Sequence, residues 1–117
     1  MKKIYYLKTC DSCKRIMKQL PLDGFLFQEI KTQPITLDQV EEMKRLSGNY
    51  ESLFSRRAKK YAQMGLKDQN LKEIDYKQLI LSDYTFLKRP VVILNDAIFI
   101  GNSPKNINLL LEQLTSV

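Results

Sequence analysis

Lys3 to Leu7 is a short run of β-branched and aromatic residues closed by Lys8-Thr9, the pattern of a strand. Apolar residues then recur at helical spacing, with Ile16, Met17 and Leu20 on one face, until Pro21 stops the helix. Phe25 to Ile30 reads as a second strand. A strand, a helix and a strand over so short a span form a β-α-β unit, whose crossover makes the two strands parallel.

The pattern then turns helical. Thr36-Leu37-Asp38-Gln39 has the spacing of a capping box, and Leu37, Val40, Met43 and Leu46 follow at helical period until Ser47-Gly48-Asn49 breaks it. The spacing of Leu53, Phe54, Ala58, Tyr61 and Met64 predicts a second helix ending at Gly65. A third is expected to start near Asp75 and to carry Leu79, Ile80 and Tyr84. Residues 36 to about 86 therefore read as a helical insertion.

Strand character returns at Pro90 to Leu94, pauses at Asn95-Asp96 and resumes from Ala97 to Ile100, a hairpin signal that ends at Gly101. Ser103-Pro104 suits the cap and first turn of a last helix bearing Ile107, Leu110, Leu111 and Leu114. The order is β-α-β, helical insertion, β-β-α. Its simplest assembly is an α/β fold with a mixed four-stranded sheet and helices on its faces. Tyr5, Tyr6 and Phe99 fall inside these strands and read as structural rather than as a stacking platform for bases.

Composition narrows the class. With 117 residues, 44% of them hydrophobic and 27% charged, the chain is expected to form one globular domain spanning 1–117, and a monomer. Ile4-Tyr5-Tyr6-Leu7 is too short for a signal-peptide core and no window reaches the length of a membrane span, so the expected compartment is the cytoplasm, with no membrane association. The formal charge of +6 fits a nucleic acid, an anionic substrate, an acidic partner or plain solubility equally well. No nucleic-acid recognition motif accompanies it, and basic residues alternate with Asp and Glu across the middle helices, so direct nucleic-acid binding is not expected. Having no histidine, the chain lacks imidazole triads, ligands and proton shuttles; two cysteines do not complete a thiolate zinc site, so no metal is expected either.

The candidate chemistry is Cys10-Asp11-Ser12-Cys13 at the junction of the first strand and helix. In a chain without an export signal this pair reads as redox chemistry rather than as a staple, because cytosolic thiols are kept reduced; the bland alternative is a chance pair of small buried residues. A thiol attacks as its thiolate, yet a free cysteine of pKa about 8.5 is only slightly ionised at neutral pH. A helix N-terminus favours the anion by roughly 0.3–1 kcal/mol when exposed and up to about 2 kcal/mol when partly buried, which lowers the thiol by about one unit. More requires a cation: one at about 4 Å, at an effective dielectric near 20, contributes roughly 4 kcal/mol. Cys10, nearer the helix end, is the expected nucleophile. Cys13, one turn in, is placed to resolve a mixed disulfide or sulfenic acid by bonding to Cys10.

Three blocks, Ile4-Tyr5-Tyr6 leading into Thr9-Cys10-Asp11-Ser12-Cys13-Lys14-Arg15, then Ser55-Arg56-Arg57, then Leu87-Lys88-Arg89-Pro90-Val91-Val92, together resemble the ArsC/Spx family of arsenate reductase-like proteins over nearly the whole chain. The resemblance implies a thioredoxin-like fold with a helical insertion and Pro90 as a cis-proline facing the active cysteine. It also implies Cys10 as nucleophile, Arg57 and Arg89 as anion-binding arginines, no bound cofactor, and glutathione or a dithiol protein such as glutaredoxin or thioredoxin as reductant. Guanidinium groups suit that role, since they bind oxyanions through paired hydrogen bonds. Glutaredoxin-linked arsenate reductases have a third arginine after the hairpin, where this chain has Ile100-Gly101-Asn102, and generally lack the second cysteine. The Cys-x-x-Cys is closer to Spx, whose likeness implies a redox switch that binds a protein such as RNA polymerase. The chain ends at Val117, without the longer tail that Spx proteins carry.

Overall fold

The computed structural model describes residues 1–115 and resolves into two units, Met1–Gln33 with the segment from Arg89 onward, and Pro34–Lys88. In the first unit, β1 (Lys2–Tyr6) and β2 (Leu26–Glu29) run parallel with Ile4 opposite Phe27, as a β-α-β crossover demands. β3 (Val91–Leu94) lies antiparallel to β1, Ile4 opposite Val92, and returns through Asn95-Asp96 into β4 (Ala97–Ile100), Val92 opposite Phe99. The sheet is mixed and four-stranded, in the order β2-β1-β3-β4. Asn95 turns the hairpin with φ 57°, a left-handed conformation that asparagine tolerates, and its backbone N–H donates to the Met1 carbonyl at 2.7 Å.

Two helices complete this unit: α1 (Asp11–Gln19) between β1 and β2, and α5 (Pro104–Thr115) at the end. Ile16 and Leu20 at the α1 end of the chain and Ile107 and Leu110 of α5 close over Ile4, Val92 and Phe99 in one buried cluster. Tyr5, Val91 and Ile93, of the opposite parity, are buried too, so the inner strands are apolar on both faces.

The second unit is helical. α2 (Leu37–Ser47) begins with the predicted capping box: Thr36 Oγ1 accepts from the Gln39 N–H at 3.2 Å and Gln39 Oε1 accepts from the Thr36 N–H at 3.1 Å. It ends at Gly48 with φ 99°. The helix expected through Leu53 to Met64 does not form. Glu51–Leu53 is a 3-10 turn, Phe54 is extended and bridges Leu87, and only α3 (Lys59–Gln63) is helical. The physical reason is long-range pairing: the Ser55 N–H donates to the Phe86 carbonyl at 2.7 Å and the Lys88 N–H to the Leu53 carbonyl at 2.8 Å, taking backbone groups a helix would use. Phe54 packs from that extended backbone against Phe86, Tyr76 and Tyr61, which satisfies its apolar spacing without a helix. α4 (Glu73–Ser82) starts before Asp75 and stops short of Tyr84, which lies in a 3-10 turn with Thr85 and Phe86.

Candidate active site

β1 ends at Tyr6, and the chain reaches α1 through a tight turn in which the buried Leu7 offers its carbonyl to the Cys10 N–H at 3.1 Å. Cys10 is the N-cap residue of α1, extended at φ −88° and ψ 115°, and its own carbonyl accepts the first helical bond, from the Lys14 N–H at 3.1 Å. Its thiol therefore stands where α1 presents unpaired N–H groups. Cys10 is half-buried, whereas Cys13 lies fully buried on the ridge that includes Ile16 and Leu20.

The two thiols are driven apart electrostatically. Burial works against ionisation of Cys10, but the Cys13 backbone and thiol and then the Arg89 guanidinium favour its anion, leaving its pKa below the ordinary 9.0. Cys13 is pushed up to about 11, first by burial and then by the neighbouring Cys10, with Arg89 opposing. One thiol is thus poised to ionise and its partner to keep its proton.

Arg89 reaches this site from the segment just before β3. Tyr5 pairs with Val91 in the antiparallel ladder, and extending that register by two residues sets Arg89 beside Leu7, at the turn that carries Cys10. Its Nε is buried, and the Arg89–Pro90 peptide bond is cis. The structure thus brings Cys10, Cys13, Arg89 and Pro90 together. Arg57 belongs to the other unit, in the turn before α3, where its side chain is exposed and, among the described residues, makes no ion pair. Its neighbour Arg56 is committed elsewhere: Nη2 donates to Glu51 Oε2 at 2.8 Å and to the Tyr76 hydroxyl at 3.0 Å.

One residue went unread in the sequence. Glu29 closes β2 and accepts from the Lys8 N–H at 2.9 Å through Oε2, while Oε1 accepts from the Lys31 and Thr32 N–H groups and the Thr32 hydroxyl. These donors, Lys8 first, hold its carboxyl below the usual carboxylate range. It thereby ties the turn before Cys10 to the loop after β2. The Glu-x-x-Thr spacing is a local signal for the second half of this arrangement; the bond to Lys8, 21 residues away, leaves none.

After β4, in the Ile100-Gly101-Asn102 segment, Gly101 turns with φ 88°, and its carbonyl accepts from Asn106 Nδ2 at 2.8 Å. Among the described residues no group of three or more His, Cys, Asp or Glu could hold a metal, and no helix is long and apolar enough to cross a membrane.

The chain is similar to the global transcriptional regulator Spx of Lactiplantibacillus plantarum, 22% identical over 113 residues that cover 94% of this chain and 86% of the regulator. Among solved structures it superimposes on an ArsC family related protein from Bacteroides fragilis with a TM-score of 0.78, at 18% identity over 93% of this chain and 96% of that one. It also matches arsenate reductase from Vibrio cholerae, with a TM-score of 0.73 and 17% identity over 94% and 96% of the two chains. At such identities these likenesses bear on the fold. The ArsC family model itself matches residues 5–110, from β1 into α5 and including both cysteines, Arg89 and Pro90; with its mixed sheet and helical insertion in the thioredoxin-like order, the chain belongs to the ArsC family.

Proposed function

We propose that the chain is a thiol oxidoreductase of the arsenate-reductase type in which Cys10 is the nucleophile and Cys13 the resolving thiol. The observation that supports this reading is the placement of a half-buried Cys10 at the N-cap of α1 with the fully buried Cys13 one turn on and the Arg89 guanidinium beside them, an arrangement that favours the Cys10 anion and disfavours that of Cys13. With a disulfide R–S–S–R′, the Cys10 thiolate bonds to one sulfur and expels the other as R′–S⁻. Cys13 then loses its proton and attacks Cys10 Sγ, expelling R–S⁻ and leaving the Cys10–Cys13 disulfide. Two electrons pass from the dithiol to the substrate. Forming the mixed disulfide removes the Cys10 charge that raises Cys13, while the favourable pull of Arg89 remains, so the first step prepares the second. An oxyanion such as arsenate would be attacked by the same thiolate and held by Arg89, with Arg57 as the second anion binder that the family resemblance suggests. Glutathione or a dithiol protein, glutaredoxin or thioredoxin, returns the electrons in the cytoplasm.

Consumption of NADPH coupled through glutathione and glutaredoxin, or through thioredoxin, tests this with arsenate and with disulfides as substrates. Turnover should vanish in Cys10→Ser, and Cys13→Ser should retain a glutathione-dependent route. Equal activity in both variants and the wild type would sink the proposal. Arg57→Gln should raise the KM for arsenate and leave disulfide turnover unchanged.

A second reading has its own support in the Cys-x-x-Cys and in the similarity to a transcriptional regulator. Here the Cys10–Cys13 disulfide is a switch that alters binding to a protein such as RNA polymerase, without turnover. Ready formation of the disulfide with no turnover on any substrate, and different pull-downs by reduced and oxidised chain, would establish it; identical pull-downs would count against it.

A further inference from the structure

α1 carries more positive charge than its fold requires. Lys14, Arg15 and Lys18 are exposed on it and Lys8 is exposed just before it, while Asp11 is the helix's one carboxylate. Among the described residues none of the four cations makes an ion pair, and none lies over an aromatic ring. The Glu29 carboxylate, which meets the Lys8 backbone, is occupied by the Lys8, Lys31 and Thr32 donors. Cys10, Lys14 and Lys18 follow one another at intervals of four residues and so form one ridge of the helix. Like charges at that interval disfavour an isolated helix, a penalty that an anionic partner would remove.

The spacing of the ridge distinguishes between anions. At about 1.5 Å per residue, Lys14 lies roughly 6 Å and Lys18 roughly 12 Å beyond Cys10 along the helix axis. A small anionic disulfide bonded to Cys10 spans the first interval only. An extended polypeptide advances about 3.3 Å per residue and turns every second side chain to the same side, so its second and fourth residues from a bonded cysteine meet Lys14 and Lys18 in turn.

We propose that the disulfide taken by Cys10 is presented on an acidic polypeptide segment of a partner protein, laid along α1 with carboxylates at the second and fourth positions from its cysteine. This deepens the thiol reading above and rests on it. The chemistry is a single exchange: the Cys10 thiolate bonds to the partner's cysteine sulfur, the partner's S–S bond breaks, and its other sulfur leaves as thiolate. α1 supplies selection and rate, and leaves the chemistry to the thiols.

The test uses the full chain and synthetic peptides with a central cysteine activated as its 2-thiopyridyl disulfide. One peptide has Glu at the second and fourth positions on both sides; the control has Gln there. At low ionic strength the Glu peptide should release 2-thiopyridone about tenfold faster than the Gln peptide. The advantage should fall to about twofold or less near 1 M salt, where the screening length is about 3 Å. Lys14→Gln/Lys18→Gln should abolish it, read as the ratio of the Glu-peptide rate to the Gln-peptide rate within the same variant, so that a change in the reactivity of Cys10 itself cancels. Equal rates for the two peptides at low salt, or an advantage that survives the double variant, would overturn the proposal. So would an equal slowing by Lys18→Gln of the small dianion 5,5′-dithiobis(2-nitrobenzoate), which would make α1 a general attractor of anions. Failure of the Gln peptide itself to react at Cys10 is a separate outcome and would overturn the thiol reading beneath.

Discussion

At the scale of single residues, the contrast between Cys10 and Cys13 is the sharpest feature of the candidate site. Cys13 alternates at i, i+3 and i+7 with Ile16 and Leu20, so its burial follows from the same period that predicts α1. That the two thiols would then ionise in opposite directions depends on packing and on Arg89, which arrives from the far end of the chain, and neither is written in the Cys-x-x-Cys spacing. Arg57 is legible only through the family resemblance, since no local pattern separates it from Arg56, and only the bonds to Glu51 and Tyr76 show which of the two is already engaged. Cys13 also links protonation to stability. Its folded-state pKa, raised chiefly by burial to about 11 from an ordinary 9.0, contributes stability that is whole below pH 9 and drains away as pH rises toward 11. Two units correspond to roughly 2–3 kcal/mol. Urea denaturation at pH 8 and pH 10.5 should therefore show a steeper loss in the wild type than in Cys13→Ala, whose side chain does not ionise. The same variant removes the Cys13 thiol that favours the Cys10 anion, so thiolate absorbance should place the Cys10 titration higher than in wild type.

At the scale of elements, the segments with strong local chemistry are the ones whose ends can be read in advance. Thr36 and Gln39 fix the start of α2, Gly48 its end, and Asn95-Asp96 the hairpin. Leu53 to Met64 misleads because its apolar residues are spaced for a helix while its backbone partners are more than thirty residues away, at Phe86 and Lys88. Asp83 is the corresponding device on the other side of that pairing. It caps the 3-10 turn by accepting from the Thr85 N–H at 2.9 Å, and its other oxygen accepts from Lys60 Nζ of α3 at 2.6 Å. Lys60 and then Thr85 hold its carboxyl down to about 2, from an ordinary 3.8. A depressed carboxyl contributes stability that is present above the unfolded value and lost as pH falls through the folded one. Asp83→Asn should thus cost roughly 1–2 kcal/mol at pH 7, a gap that closes between about pH 4 and pH 2. A gap that stays constant across that range in parallel urea titrations would show that the cap, and not the charge, is what matters.

At the scale of the whole molecule, the fold brings sequence-distant pieces to one candidate site. The β-α-β unit supplies both thiols and the hairpin supplies Arg89 and Pro90, and the ladder between β1 and β3 is what brings them into register. Element types and their order predict the mixed sheet; the central place of β1, which makes this meeting possible, follows from pairing across some ninety residues and not from any local pattern. If the proposed Cys10–Cys13 disulfide forms, stability is expected to depend on redox state. Reduced chain holds a Cys10 thiolate favoured by Cys13 and Arg89, whereas oxidised chain has no thiolate to favour. Because the folded pKa of Cys10 lies below the unfolded one, the added stability of the reduced form grows as pH rises through the folded value and levels off near 9. The difference in urea stability between reduced and oxidised chain should therefore shift toward the reduced form from pH 5 to pH 8. In Arg89→Gln the shift should shrink, since a major source of favourable charge is gone while the thiols and helix end remain. By the same cycle the wild-type disulfide should be the more oxidising of the two, measurable against glutathione buffers. A stability difference that is flat with pH, or unaltered by Arg89→Gln, would mean that the guanidinium does not act on the reduced state, and the role given to Arg89 would have to be confined to binding the substrate.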